Sequence, residues 1–190
     1  MSEKKLTGRT AVITGASKGL GKAMALALGE AGAKLALVSR NKEQLQAVAA
    51  EARKLGAEAE VFVTDVTSEE QVKQLERDVA AKLGKVQILI NNAGINIRKP
   101  SVEFTLDDWR AVMDTNLTSV FLICRAFVPG MKGQGYGRIL NLTSIMSHVA
   151  IAGRTAYAAS KDKNNFFDEY FAQLEANIGD FPRSFNLRSK

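Results

Sequence analysis

The sequence predicts a doubly wound α/β fold with a parallel sheet, formed as a single domain of residues 1–190. Short apolar, β-branched runs alternate along the chain with longer helical patterns, which is typical of βαβ units. The apolar runs are also continuous rather than alternating, as in strands that helices cover on both faces. A chain of 190 residues without an internal repeat or linker is long enough for one well-buried core.

Five apolar runs are predicted to be strands, and the stretches between them have helical periodicity. The predicted strands are residues 10–14, 34–38, 60–63, 86–90 and 137–142. The predicted helices are residues 22–31, 42–55, 68–83, a long or broken stretch over 106–128, and a last helix from 157 to about 178. Gly32, Gly56 and Gly84 follow three of these helices, where glycine commonly ends a helix.

Composition and charge argue against several classes of partner. The net charge of +6 comes from lysines and arginines spread among acids, which predicts a solvated mixed surface and no nucleic-acid partner. No run approaches the about 18 apolar residues that span a membrane, and no secretion signal is recognisable, so we expect a cytoplasmic protein without a membrane partner. Cys124 is the only cysteine and lies in an apolar helical run, which favours core packing. His148 has no partner histidine, so no metal site is expected, and lining a substrate pocket remains an alternative role.

A glycine-rich turn joins the first strand to the first helix, with the sequence Thr-Gly-Ala-Ser-Lys-Gly-Leu-Gly over residues 14–21. Glycine allows the backbone to turn sharply and to approach a pyrophosphate closely. Free N–H groups at the start of the helix then favour the anion. The residues predicted to bind cofactor phosphates here are Gly15, Ser17, Lys18, Gly19, Leu20 and Gly21.

The end of the second strand favours NADP(H) over NAD(H). An NAD-binding site usually has an acid there, which accepts hydrogen bonds from the ribose 2′-hydroxyl. This chain has Ser39 and Arg40 instead, and Arg40 can offer a guanidinium fork to a 2′-phosphate. Lys18 could add a second positive charge. The alternative is that Lys18 and Arg40 are solvated surface charges.

Together with Asn-Asn-Ala-Gly at residues 91–94 and Tyr-Ala-Ala-Ser-Lys at 157–161, the glycine turn closely resembles the short-chain dehydrogenase/reductase family. The resemblance covers roughly residues 6–161, in the order that the family has. It implies a homo-oligomer that transfers a hydride between NADP(H) and the carbonyl or secondary alcohol of a small molecule. It also implies further cofactor-binding residues, namely Asp65, Val66, Asn92, Ala93, Gly94, Tyr157 and Lys161.

The family's catalytic tetrad corresponds to Asn116, Ser144, Tyr157 and Lys161. Hydride transfer to a carbonyl leaves an alkoxide, which takes a proton from a nearby acid. Tyr157 can supply it if the ammonium of Lys161, four residues along the same helix, stabilises the phenolate. Ser144 can donate a hydrogen bond to the developing negative charge, and the resemblance implies that Asn116 holds a water that connects Lys161 to solvent.

After Lys161 the sequence departs from the family pattern, because no Pro-Gly turn follows and residues 179–187 predict at most one short strand. A C-terminally incomplete fold is therefore expected, with weakened catalysis and with a dimer rather than a tetramer.

The substrate is suggested by residues 92–100, which are similar to gluconate 5-dehydrogenase-like members of the family. Arg98 and Lys99 in this stretch would suit an anionic sugar acid, or they are plain surface charges. Two alternatives remain open: a 3-oxoacyl-thioester reductase, and a catalytically impaired nucleotide-binding protein.

Overall fold

The computed structural model describes residues 4–149 and 151–162, and within them it has a five-stranded parallel sheet in the order β3-β2-β1-β4-β5. The strands are β1 (Thr10–Thr14), β2 (Lys34–Ser39), β3 (Ala59–Val63), β4 (Val86–Asn91) and β5 (Arg138–Asn141). Each lies within one residue of its predicted bounds, so the predicted fold class is confirmed. The continuous apolar runs identified these strands because both faces of the sheet are covered.

The helices that cover the sheet are α1 (Gly19–Glu30), α2 (Lys42–Lys54), α3 (Glu69–Leu83), α4 (Leu106–Met113), α5 (Ser119–Met131) and α6 (Thr155–Asp162). The predicted start of α1 at residue 22 was wrong, since the helix begins at Gly19. Its first turn contains the glycines that the prediction assigned wholly to the turn. Asn41 and Ser68 cap α2 and α3, each accepting a hydrogen bond from the main-chain N–H three residues on.

The stretch predicted as one long or broken helix is broken by a π-helical turn, Asp114–Thr118, between α4 and α5. Taken together, Leu106–Met131 is long and apolar enough to cross a membrane by length and composition alone, so the expectation that no stretch approaches such a span was wrong. Half of its most apolar window is buried against the rest of the protein, as in the core helix of a globular fold. Among its residues, Val120, Ile123 and Phe127 belong to the core.

Two apolar clusters fill the space on the two faces of the sheet. Val12 of β1 and Leu89 of β4 pack with α3 and α5, whereas Ile13 and Ile90 pack with α1 and α2. Neighbouring strand residues point to opposite faces, which is why one strand contributes to both clusters. The rigid layers fix the positions of the loops that leave the strands.

The strand order reverses between β1 and β4, which lie side by side although β2 and β3 come between them in the chain. In open parallel sheets, ligands bind in the crevice that such a reversal leaves beyond the carboxyl ends of the strands. The helix predicted over residues 157–178 begins at Thr155 and is described as far as Asp162. The rest of that helix and the possible strand in 179–187 lie outside the described residues.

Candidate active site

A cleft of about 550 Å³ lies at the carboxyl edge of the sheet, where the loops after β1, β2, β3 and β4 converge. Most of the residues predicted to bind a cofactor line it. They are Gly15, Ser17, Lys18, Leu20, Ser39, Arg40, Asp65, Val66, Asn92, Ala93 and Gly94. Five lining residues were not predicted from the sequence, namely Asn41, Gln44, Thr64, Ile95 and Thr115. Asn41 was recognisable as a helix cap, whereas the other four carry no local signal.

The glycine turn is held against the loop after β4 by a short polar network. The Asn92 side-chain amide donates to the main-chain oxygens of Thr14 and Gly15, at 2.9 and 3.2 Å. In return, the Thr14 hydroxyl accepts from the main-chain N–H groups of Asn92 and Ala93, at 3.0 and 3.1 Å. The loops after β1 and β4 are therefore joined by four hydrogen bonds directly at the point where the strand order reverses.

Glycine is favoured for different structural reasons at three positions that were predicted to bind the cofactor, which are Gly15, Gly19 and Gly21. Gly15 and Gly19 have φ values of +65° and +56°, in the left-handed region that favours glycine. Gly21 lies in the first turn of α1, and a Cβ there would collide with the main-chain oxygen of Gly15 and with the Asn92 amide. Gly19 and Gly21 do not line the cleft, but Gly21 allows the turn to close tightly beneath it. The side chain of Lys18, at the N-cap of α1, makes no capping hydrogen bond.

The polar end of the cleft contains Ser39, Arg40 and Asp65. The Ser39 hydroxyl accepts a hydrogen bond from the main-chain N–H of Asn41, at 3.2 Å. Arg40 is largely exposed, and its Nη1 lies 4.0 Å from a carboxylate oxygen of Asp65. Partial burial tends to raise the pKa of Asp65, but hydrogen bonds from Thr67 and the charge of Arg40 lower that pKa overall. The cleft therefore contains an ionised acid whose charge partly compensates that of Arg40.

Asn116, one of the four predicted catalytic residues, is fully buried in the π-helical turn between α4 and α5. Its side-chain oxygen accepts from the N–H of Ile95 at 2.8 Å. Its amide group donates to the oxygen of Ile95 at 3.0 Å and to the hydroxyl of Ser160 at 2.9 Å. Both amide hydrogens of Asn116 are thus used within the protein. Such wide turns frequently occur at functional sites.

Lys161 and Tyr157 lie one turn apart on α6, with the Lys161 Nζ 5.8 Å from the centre of the Tyr157 ring. The Nζ donates to the main-chain oxygen of Leu142, which follows β5, at 2.6 Å. Burial lowers the pKa of Lys161 to about 8. A Cβ built on Gly94 would lie 3.8 Å from this Nζ and 3.2 Å from the side-chain oxygen of Asn116, so the loop after β4 passes close to both residues.

Ser160, which the sequence analysis did not single out, connects these elements. Its hydroxyl accepts from Asn116 and donates to the main-chain oxygen of Tyr157 at 2.8 Å, and the residue is fully buried. It fixes α6 relative to the π-helical turn and thereby the position of Tyr157. Its place inside the Tyr-Ala-Ala-Ser-Lys motif was the available signal, although the sequence alone does not show which partner the hydroxyl has.

Ser144 follows β5 and begins a short helical turn, Ile145–Ser147. Its hydroxyl oxygen accepts from the N–H of Met146 at 3.2 Å. Among the described residues the Ser144 hydroxyl donates no hydrogen bond, so its hydrogen is available to an oxygen of a bound molecule. The neighbouring His148 is exposed. Cys124 is buried, and burial raises the pKa of its thiol to about 12, which fits core packing.

Of the two roles left open for Arg98 and Lys99, contact with an anionic substrate or a plain surface charge, the structure favours a surface charge for Lys99. Lys99 forms an ion pair with Asp108, which Thr105 also holds through a capping box at the start of α4. Hydrogen bonds from Lys99 and Thr105 lower the pKa of Asp108 to about 2, so this carboxylate is ionised near neutral pH. The Lys99 charge is therefore neutralised locally, whereas Arg98 is exposed.

Comparison with protein families gives a match over residues 9–177 to the model described as short chain dehydrogenase. The chain is 36% identical over 157 residues to the 3-oxoacyl-acyl-carrier-protein reductase of Thermotoga maritima. That alignment covers 83% of this chain and 64% of the relative, so the chain spans less than two thirds of that protein's length.

Solved structures with the same fold include proteins with either nicotinamide cofactor. A gluconate 5-dehydrogenase from Burkholderia cenocepacia, in complex with NADP and tartrate, superposes with a TM-score of 0.84 at 36% identity, covering 92% of this chain and 68% of that one. An NAD⁺-bound xylitol dehydrogenase superposes with a TM-score of 0.86 at 35% identity, covering 90% and 66%.

The buried ammonium of Lys161 predicts a pH-dependent stability. The unfolded chain holds this proton up to a pKa of about 10.4, whereas burial lowers the folded pKa to about 8. Between those values the unfolded chain binds more protons, so raising the pH through this window stabilises the fold. Relative to Lys161→Met, we expect the parent to gain on the order of 1 kcal/mol in free energy of unfolding between about pH 7 and pH 9.5.

Urea titrations without cofactor, at several pH values, measure this gain in free energy of unfolding. The exposed Lys132→Met is the control, and identical pH profiles for parent and Lys161→Met would contradict the prediction.

Proposed function

Because the chain belongs to the short-chain dehydrogenase/reductase family, we propose that it transfers a hydride between NADP(H) and a carbonyl or secondary alcohol of a small anionic molecule. The observation that supports the proposal is a cleft of dinucleotide size whose β4 loop also approaches Asn116 and the Nζ of Lys161, while the same Nζ donates to Leu142, two residues before Ser144. A cytoplasmic location stays a prediction from the sequence.

The cleft fits a nicotinamide dinucleotide on three counts. It lies at the reversal of strand order, its floor is a turn with no room for a Cβ at Gly21, and it ends at the uncapped start of α1. Gly15, Ser17 and Leu20 would contact the pyrophosphate, and Asp65 and Val66 the adenine. Asn92, Ala93 and Gly94 would lie beside the nicotinamide ribose, within reach of Tyr157 and Lys161. When bound, this cofactor supplies or accepts the hydride.

The choice of NADP(H) rests on Lys18, Ser39 and Arg40. No acid stands at the end of β2 to accept hydrogen bonds from a ribose 2′-hydroxyl, and both cations line the cleft. Arg40 is only loosely paired with Asp65, at 4.0 Å, so its guanidinium can turn to a 2′-phosphate. Because the solved relatives include an NADP complex and an NAD⁺ complex, these local residues carry the assignment.

We expect NADPH to bind at least tenfold more tightly than NADH, a difference of about 1.4 kcal/mol. One charge-assisted hydrogen bond to a phosphate is sufficient for such a difference. Fluorescence titrations of both cofactors measure it, and Arg40→Asp should shift the preference toward NADH. Equal dissociation constants in the parent would show that Lys18 and Arg40 are surface charges.

In the proposed mechanism, Tyr157 donates a proton to the oxygen of the carbonyl as it is reduced, and the reverse reaction returns the proton to Tyr157. Near the phenolate, the Lys161 ammonium favours the ionised tyrosine. The Ser144 hydroxyl donates to the substrate oxygen and stabilises its developing charge. Since the side-chain amide of Asn116 is occupied by Ile95 and Ser160, any water held by Asn116 would bind its main chain or the remaining lone pair of its side-chain oxygen.

Tyr157→Phe is expected to reduce turnover at least 100-fold while leaving the NADPH dissociation constant within about threefold of the parent. The phenol is needed only by the reacting substrate, so its removal acts on the transition state. Steady-state kinetics and cofactor titration on the same preparations measure both effects. Tyr136→Phe is the matched control, because half-buried Tyr136 contacts Arg9 and Arg138 and does not line the cleft. Turnover of Tyr157→Phe within a few-fold of the parent would contradict the role assigned to the tetrad.

For the substrate, we favour an oxo sugar acid such as 5-ketogluconate. The solved relatives include a gluconate 5-dehydrogenase, and the exposed Arg98 lies in the loop after β4, shortly after the residues that line the cleft. A 3-oxoacyl thioester is the second candidate, supported by the similarity to the 3-oxoacyl-acyl-carrier-protein reductase. NADPH oxidation with 5-ketogluconate and with an acetoacetyl thioester separates the two. Faster turnover of the thioester would favour the second candidate, and cofactor binding without any turnover would favour a nucleotide-binding protein.

Assembly into a dimer is part of the proposal. Two aromatic side chains on the Leu106–Met131 stretch, Trp109 and Phe121, are 37% and 43% exposed in the single chain. Burying such rings in a subunit interface would remove them from water. Light scattering of the purified chain is expected to give the mass of a dimer, and a monomer at micromolar concentration would contradict this expectation.

A further inference from the structure

Arg154 occupies the position immediately before α6, one turn before Tyr157. Its main-chain oxygen accepts from the N–H of Ala158 at 2.9 Å, so it takes part in the first helical turn. Arg154 itself precedes the first helical residue, Thr155, so it lies at the N-terminal end of α6, within one turn of Tyr157.

The guanidinium of Arg154 lacks a counterpart within residues 4–149 and 151–162. Its Nε is buried without a hydrogen-bond partner, and no acid in this part of the chain forms an ion pair with it. Arginine does not lose its proton in proteins, so the group remains a charged donor. A buried donor without a partner destabilises a protein, so such groups call for an explanation.

The segment that contains Arg98 lies against the segment that contains Arg154. A Cβ built on Gly153 would be 3.6 Å from the main-chain oxygen of Lys99, and the hydroxyls of Ser101 and Thr155 are 2.6 Å apart. Asp108, at the start of α4, pairs with Lys99, and Glu103 is exposed two residues after Ser101. Within the described residues, neither Arg98 nor Arg154 forms an ion pair with either acid.

We propose that Arg154 binds the anionic end of the substrate and is a specificity-determining residue for carboxylates. A carboxylate is planar and matches the terminal nitrogens of the guanidinium fork. The carbonyl oxygen several bonds away would then reach Tyr157 and Ser144. The inference rests on the proposed function, and it assigns to Arg154 the role that the sequence had suggested for Lys99.

The test compares Arg154→Gln and Arg154→Lys with the parent, in the full chain with NADPH. The substrates are 5-ketogluconate and L-sorbose, a neutral ketose with a hydroxymethyl group in place of the carboxylate. For Arg154→Gln we expect the KM for 5-ketogluconate to rise at least tenfold with kcat within threefold, since binding rather than the chemical step is lost. The KM for L-sorbose should change less than twofold, and Arg154→Lys should recover part of the loss.

Arg110→Gln is the matched control, because Arg110 is exposed on α4 and pairs only with Asp107. Arg98→Gln tests the neighbouring arginine. An unchanged KM for 5-ketogluconate in Arg154→Gln, an equal rise for L-sorbose, or a loss confined to Arg98→Gln would each overturn the proposal. Circular dichroism melting of each variant shows whether it is folded. If Arg154→Gln is not folded, the comparison with the parent is made with Arg154→Lys.

Calorimetric titration of tartrate into the NADP-saturated chain separates failure of this proposal from failure of the proposed substrate. If the parent does not reduce 5-ketogluconate but binds tartrate at least tenfold more tightly than Arg154→Gln does, the substrate assignment fails and the anion site stands. If parent and variant bind tartrate equally, or if neither binds it, the proposal for Arg154 is overturned.

Discussion

The exchange of hydrogen bonds between Thr14 and Asn92 is the interaction on which the site depends. It joins the loops after β1 and β4, which come from opposite sides of the reversal in strand order. The collision that a Cβ on Gly21 would produce shows how closely these loops approach. The same β4 loop continues to Ile95, where Asn116 binds it. One short segment therefore positions the proposed cofactor cleft together with two of the proposed catalytic residues, Asn116 and Lys161.

The fold was predictable because its signals are local and mutually consistent. Apolar runs marked all five strands, and Gly32, Gly56 and Gly84 marked helix ends through backbone chemistry that depends on few neighbours. The start of α1 was missed because glycines suited to a turn also lie in its first helical turn. The π-helical turn at Asp114–Thr118 was missed because one extra residue in a helix leaves no pattern in composition or periodicity.

For the site, motifs indicated which residues to consider but not how their charges are used. The sequence could not show that Asp108 takes up the charge of Lys99, because that pair depends on how the 95–105 loop meets α4. Nor could it show that Ser160 holds Asn116 against α6, since a buried serine and an exposed serine look alike in sequence. The sequence likewise does not show that Lys161 is buried, and burial lowers its pKa. With a lowered pKa, the charge on Lys161 depends more strongly on whether a neighbouring phenolate is present.

The central claim is that the closed glycine turn is a dinucleotide cradle. NADPH titration of Gly21→Ala tests it most directly, with Gly130→Ala as the control, because a Cβ at Gly130 meets no atom within 4 Å. The account predicts that Gly21→Ala remains folded by circular dichroism and binds NADPH at least tenfold more weakly than the parent, whereas Gly130→Ala binds as the parent does. Parent-like NADPH affinity in folded Gly21→Ala would contradict the account.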